Sequence, residues 1–229
     1  MPSPRHSQRP RFAILGSGRG SNAVALMQAF RDGSLAAELA VVISNVSGAP
    51  ILQRAGEYGY PAVLIESANL PRAEHESRIR AALVQQNVDH ILLAGYMRLL
   101  SADFIARWPG VILNIHPSLL PDFPGLAAVA AQWRAGVRVA GASVHFVDAG
   151  IDTGPVLLSG SIDVCGDEGE AGLAQRILTE VEHTIYPRAV RLLLERMARG
   201  GPLHTQASTR SSASATTDAP ATAYRKDET

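Results

Sequence analysis

Hydrophobic and polar positions along this chain alternate between short apolar runs and longer mixed stretches. Residues 12–15 form the first run, 38–45 (E-L-A-V-V-I-S-N) the second, 61–65 the third and 89–95 the fourth. They are apolar at consecutive positions, which predicts strands covered on both faces. Between them, residues 23–31, 49–58 and 72–86 have helical character. In the last of these, Ile79, Leu83 and Val84 mark an apolar side. Strand alternating with helix predicts an α/β fold, a Rossmann-like doubly wound sheet whose N-terminal half is parallel.

The second half reads differently. A run at 111–113 leads into Asn114 and His116, and a helix is expected at 125–133. Strands at 137–147 and 156–164 have hairpin-like spacing, so this half of the sheet is expected to be mixed. Residues 170–197 predict one long helix, broken or bent near Pro187. Residues 1–10 are polar and Pro-rich, and from 205 the chain is mainly Ser, Thr and Ala. Disorder is expected at 1–10 and 201–229, around a single domain at 11–200.

Composition narrows the function. The chain has 229 residues, 46% of them hydrophobic, with 21 Lys plus Arg against 21 Asp plus Glu. Mean hydropathy is +0.06. A balanced charge gives no sign of a nucleic-acid partner. Cys165 is the only cysteine, so a Cys-rich metal site is excluded, and the residue is expected to pack as a small apolar group. No run approaches the roughly 18 apolar residues needed to cross a bilayer. The first ten residues lack the apolar segment of a signal peptide, so the expected location is the cytoplasm.

Two stretches carry candidate chemistry. In V-I-L-N-I-H-P-S-L-L-P (111–121), Asn114 and His116 are two residues apart, so a strand points both side chains the same way. Pro117 then ends the pairing. An amide and an imidazole at a strand's end lie where open α/β sheets take ligands. A satisfied buried polar pair gives the same pattern. The acidic loop D-A-G-I-D-T-G-P (148–155) follows a later strand and can bring Asp152 to the imidazole. Asn, His and Asp would supply an oxyanion donor, a proton-transfer group and a charge that favours imidazolium.

The other stretch is G-S-G-R-G-S-N (16–22), between the first strand and first helix. Glycines let the backbone approach an anion, and N–H groups at a helix start attract it. The spacing fits neither G-x-G-x-x-G nor a P-loop, which favours a single phosphate monoester over a dinucleotide. A tight turn with no ligand is the other reading. Ser21 or Asn22 is placed to cap the helix.

N-I-H-P-S-L-L-P, then S-V-H-F-V (143–147) and D-x-G-P, resembles the folate-dependent formyltransferases, over about residues 12–194. Within them the similarity is greatest to the branch acting on glycinamide ribonucleotide in purine synthesis. The resemblance implies formyl transfer from 10-formyltetrahydrofolate to the amine of N1-(5-phospho-D-ribosyl)glycinamide, with no metal. It implies Asn114, His116 and Asp152 as the catalytic trio. Gly20, Ser21 and Asn22 would cradle the ribose phosphate, and Glu182 in E-H-T-I-Y-P would reach the ribose hydroxyls. The folate would be held by Arg72, by Met97, Arg98, Leu99 and Leu100, by Asn114, and by Asp148, Ala149, Gly150, Ile151 and Asp152. The nucleotide-binding half would span about 11–110 and the folate and catalytic half about 111–200.

Other readings remain beside this one. Ala127 and Val129 stand where close relatives often carry His or Asn, and the helix before E-H-T-I-Y-P is one residue longer than expected. His145 is expected to support the trio or to be a satisfied core histidine. Trp133 is expected in the core or at an interface. His6, His75, His90, His183 and His204 are expected to be peripheral, with His183 partly buried. A formyltransferase for an amino sugar nucleotide and a non-catalytic ribonucleotide-binding module are the alternatives. Small molecules are the expected partners, with the chain a monomer or homodimer.

Overall fold

The computed structural model describes residues 9–200; residues 1–8 and 201–229, where the terminal disorder was expected, lie outside it. In chain order the elements are β1 (Arg11–Gly16), α1 (Ser21–Arg31), β2 (Glu38–Ser44), α2 (Pro50–Glu57), β3 (Ala62–Leu64), α3 (Arg72–Gln85) and β4 (His90–Leu93). Then come α4 (Ala102–Ile105), β5 (Ile112–His116), α5 (Ala128–Arg134), β6 (Val139–Phe146), β7 (Val156–Asp163) and α6 (Gly169–Arg176). A π-helical turn (Ile177–Glu182) joins α6 to α7 (His183–Ala198).

The seven strands form one sheet in the order β3-β2-β1-β4-β5-β6-β7. Strands β1 to β5 pair in parallel; β6 and β7 are antiparallel. This is the mixed α/β sheet expected from the sequence. Consecutive apolar residues in one strand serve opposite faces. Phe12 and Ile14 enter the core under α1, α2 and α7, while Ala13 and Leu15 enter the core under α3. Strand order reverses between β1 and β4, and the carboxyl ends there frame a crevice.

Several local expectations need correction. Neither Ser21 nor Asn22 caps α1. Gly20 is the cap residue, in the left-handed region at φ 73°, and no side chain bonds the helix end. A Cβ there would come within 2.7 Å of the Ile51 side chain, so conformation and space both select glycine. The expected helix at 125–133 starts later, at Ala128, because Gly125 turns the chain at φ 87°. The C-terminal helix breaks at Ile177–Glu182, with Pro187 inside α7. A π turn holds one more residue than an α turn, so the extra residue before E-H-T-I-Y-P is absorbed there. Cys165 is exposed, not packed, because it lies in the loop after β7. His75 and His90 are buried, the second stacked on Phe12; His6 and His204 lie outside the described residues. Trp133 packs half-buried against the α1 side of the core, as expected. Among the described residues no helix is long and apolar enough to cross a membrane.

Candidate active site

Strand β5 carries Asn114 and His116 to its carboxyl end, and β6 runs back beside it with His145 opposite Asn114. Asn114 Nδ2 lies 3.2 Å from His145 Nε2. Asp152 enters from the loop after β6. Its Oδ2 is 3.2 Å from His116 Nδ1, and its Oδ1 is 3.5 Å from His145 Nε2. The Gly125 N–H donates to Asp152 Oδ2 at 2.9 Å. The trio expected from sequence is therefore assembled, and His145 touches two of its members directly.

The opposite face of the His116 ring is also occupied. His116 Nε2 lies 2.9 Å from the Phe123 carbonyl, which can only accept. With a carboxylate at Nδ1 and a carbonyl at Nε2, both contacts are satisfied when both nitrogens carry protons. Asp152 and Phe123, the residues that supply these acceptors, are both left-handed, at φ 54° and 52°. That conformation is uncommon for a residue with a side chain, least of all a bulky one. The Asp152 carboxyl is held down to about 2 by the His145 ring, the Gly125 N–H and the charge of His116, against the opposing effect of burial. His145 Nδ1 faces the Phe146 carbonyl at 3.0 Å, so that nitrogen carries the proton of the neutral ring. Nε2 then accepts from Asn114; protonated as well, it donates to Asp152.

The turn after His116 is braced from below. Ser118 Oγ donates to the Asp122 carbonyl, and Ser143 Oγ donates to the Ser118 carbonyl while accepting from the Leu120 N–H. The buried Gln132 amide donates to the Pro117 carbonyl at 2.7 Å. The Leu120–Pro121 peptide is cis.

At the end of β1, the loop 16–22 opens into α1. Its first N–H groups, at Ser21, Asn22 and Ala23, lack acceptors within the helix. The Asn22 amide donates to Glu182 Oε2 at 2.5 Å, and Asn22 Oδ1, though buried, has no hydrogen-bond partner. Burial raises the Glu182 carboxyl above its ordinary value, with the Asn22 hydrogen bond acting against it. Two of the residues expected at the ribonucleotide thus meet each other.

A cavity of about 370 Å³ lies against the 148–155 loop, the loop that carries Asp152. It is lined by Ala102, Ile105 and Ala106 of the α4 region, by Phe146 and Val147, and by Asp148, Ala149 and Pro155. Asp148 Oδ1 accepts from the Gly150 N–H and from Thr153 Oγ1, which folds the 148–153 loop on itself. Met97 and Leu99 are exposed, and Leu100 packs on the α3 side of the core. Arg98 is anchored to the carbonyls of Ser67 and Leu70. Arg72 is the exposed first residue of α3.

Comparison with known proteins places this arrangement. The formyl transferase family model matches residues 10–190. The chain belongs to the formyl transferase family. Within that family, phosphoribosylglycinamide formyltransferase of Bacillus subtilis (strain 168) is 36% identical over 194 residues, 83% of this chain and 97% of the relative. The trifunctional purine biosynthetic protein adenosine-3 of Drosophila melanogaster is 40% identical over 198 residues. This chain spans 15% of that relative's length. The crystal structure of glycinamide ribonucleotide transformylase 1 from Symbiobacterium toebii superposes with a TM-score of 0.80 and 41% identity, over 83% of this chain and 90% of that one.

In this formyl transferase the cavity wall formed by Ala102, Ile105 and Ala106 was not legible in advance. The short α4 has no periodic pattern; its one signal is Ser101, whose hydroxyl accepts from the Phe104 N–H as a helix cap. The Phe123 carbonyl was equally hidden, because a backbone group has no sequence signature. Ala127 is exposed and Val129 is half-buried against the core.

Proposed function

We propose that this formyl transferase moves the formyl group of 10-formyltetrahydrofolate to the amine of N1-(5-phospho-D-ribosyl)glycinamide, in the cytoplasm, as a step of purine synthesis. The observation that carries the reading is the Asn114–His116–Asp152 cluster, on the same sheet as the Gly-rich loop 16–22 and with a cavity against the 148–155 loop that carries Asp152.

The substrate amine attacks the formyl carbon, forming a C–N bond and placing charge on the formyl oxygen. The Asn114 amide donates to that oxygen, as an oxyanion donor must. The His116 imidazolium keeps its Nδ1–H on Asp152 and releases its Nε2–H from the Phe123 carbonyl to protonate N10 of the folate as the old C–N bond breaks. Asp152, ionised through the neutral range, favours the charged ring. The attacking nitrogen loses a proton that replaces the one His116 gives to N10, so the overall exchange is neutral. No nucleophilic side chain is required.

In this reading Gly20, Ser21 and Asn22 receive the phosphate, and Glu182 receives the ribose hydroxyls. The pterin lies against Met97, Arg98, Leu99 and Leu100 and the 148–152 loop, including Ala149, Gly150 and Ile151. Arg72 meets the acidic tail of the folate. The test is folate absorbance with 10-formyltetrahydrofolate, with and without the ribonucleotide. Release of tetrahydrofolate that requires the ribonucleotide supports the reading. Release without it indicates a hydrolase, and no release by folded protein refutes it.

A further inference from the structure

The loops that follow β1, β2, β3 and β4 are tied together by a closed ring of hydrogen bonds. Ser17, after β1, donates from Oγ to Asn45 Oδ1 at 2.6 Å and accepts from the Met97 N–H at 2.8 Å. Asn45, after β2, donates from Nδ2 to Ser67 Oγ at 3.0 Å. Ser67, after β3, donates its own N–H to the Asn45 carbonyl at 3.1 Å. The Ser67 carbonyl accepts from Arg98 Nη1 at 2.9 Å, and Arg98 follows Met97 after β4. Asn45 is buried.

The ring joins two regions used by different ligands. Ser17 lies in the loop 16–22 assigned to the ribose phosphate, and Met97 and Arg98 begin the segment assigned to the folate. Each member is doubly engaged. Removing the Ser17 hydroxyl leaves Asn45 Oδ1 without that donor and the Met97 N–H without that acceptor. We propose that Ser17 and Asn45 are positioning residues that couple the ribonucleotide and folate subsites, so that each ligand strengthens binding of the other. The proposal rests on the formyl-transfer reading. A ligand that orders one loop orders the ring, and the second ligand then meets a segment whose ordering entropy is already spent. Linkage requires the effect to be reciprocal.

The experiment uses the ribonucleotide with tetrahydrofolate, which has no formyl group, so that binding is measured without turnover. Calorimetric titration gives the ribonucleotide Kd alone and with saturating tetrahydrofolate. The expected wild-type ratio is about 10-fold, inside the roughly 5- to 150-fold range of ordinary coupling, with the same ratio when the order is reversed. Ser17→Ala is expected to bring the ratio close to one, and Ser17→Thr, which keeps the hydroxyl, to restore it. Ser67→Ala opens the ring elsewhere and is expected to act as Ser17→Ala does, which keeps the test available if one variant fails to fold. A wild-type ratio of one with both ligands bound, or an unchanged ratio in the folded alanine variants, overturns the coupling alone. Absence of ribonucleotide binding by the wild type overturns the formyl-transfer reading instead.

Discussion

Asn22 and Glu182 are 160 residues apart in the chain, yet the Asn22 amide donates to the Glu182 carboxylate at 2.5 Å. Helix α1 supplies one and the π turn before α7 the other. Burial raises the Glu182 carboxyl above its ordinary 4.5. A raised carboxyl stabilises the fold at pH below about 4.5, and that contribution is lost as pH rises through the folded value. At pH 8 the charged group is therefore a cost. Glu182→Gln is expected to raise the melting temperature at pH 8 while raising the KM for the ribonucleotide about 10-fold, since hydrogen bonds to a charged acceptor are worth about 1.5–3 kcal/mol. Melting curves and steady-state kinetics check the two halves separately. An unchanged KM would remove Glu182 from the substrate site.

His116→Ala is expected to lower turnover by about 10²- to 10⁴-fold, the usual contribution of a positioned acid–base group, while the ribonucleotide still binds. Asp152→Asn removes the carboxylate that holds the imidazole and is expected to lower turnover. Asp152 itself contributes no limb near neutrality, because it is held down to about 2. Its stabilising effect is present above 3.8 and lost as pH falls toward 2. A pH–rate series on both variants decides; wild-type turnover in either would cancel the assigned role.

Three histidines outside the trio, His75, His90 and His183, are shifted below their ordinary 6.5 by burial. Each favours the fold while neutral, so its contribution is present above pH 6.5 and is lost as pH falls below it. Denaturant unfolding at pH 7.5 and pH 5.5 is expected to show lower stability at the acid pH. His90→Phe, which keeps a ring against Phe12, is expected to flatten that difference. Equal flattening by a surface histidine-to-phenylalanine change would refute the assignment to burial.

Ala106 is exposed but lines the cavity against the 148–155 loop. Ala106→Trp should fill that space without disturbing the buried core. The KM for the folate is expected to rise about 10-fold or more, in keeping with the loss of a contact worth about 1.4 kcal/mol per decade, with the ribonucleotide KM unchanged. Equal changes in both constants would place the folate elsewhere.

Local rules in the sequence determined the strand and helix order, the mixed second half of the sheet and the placement of Asn114 and His116 on one strand. Apolar runs, glycine turns and the alternation of strand faces act over a few residues, so they can be read without the fold. The same holds for the loop 16–22, whose glycines announce a close approach of backbone.

Tertiary structure decided everything that depends on contacts between distant segments. The left-handed backbone at Asp152 and Phe123 aims a carboxylate and a carbonyl at opposite nitrogens of His116. Neither residue type announces that geometry. Gly20, not Ser21 or Asn22, caps α1, and the Asn22 amide is directed to Glu182 instead. Cys165 is exposed because the chain leaves β7 just before it. The π turn takes up an extra residue that helical periodicity alone would have carried into a bend at Pro187. Sequence patterns record which face of an element is apolar; which polar groups meet across the crevice is set by how those elements pack.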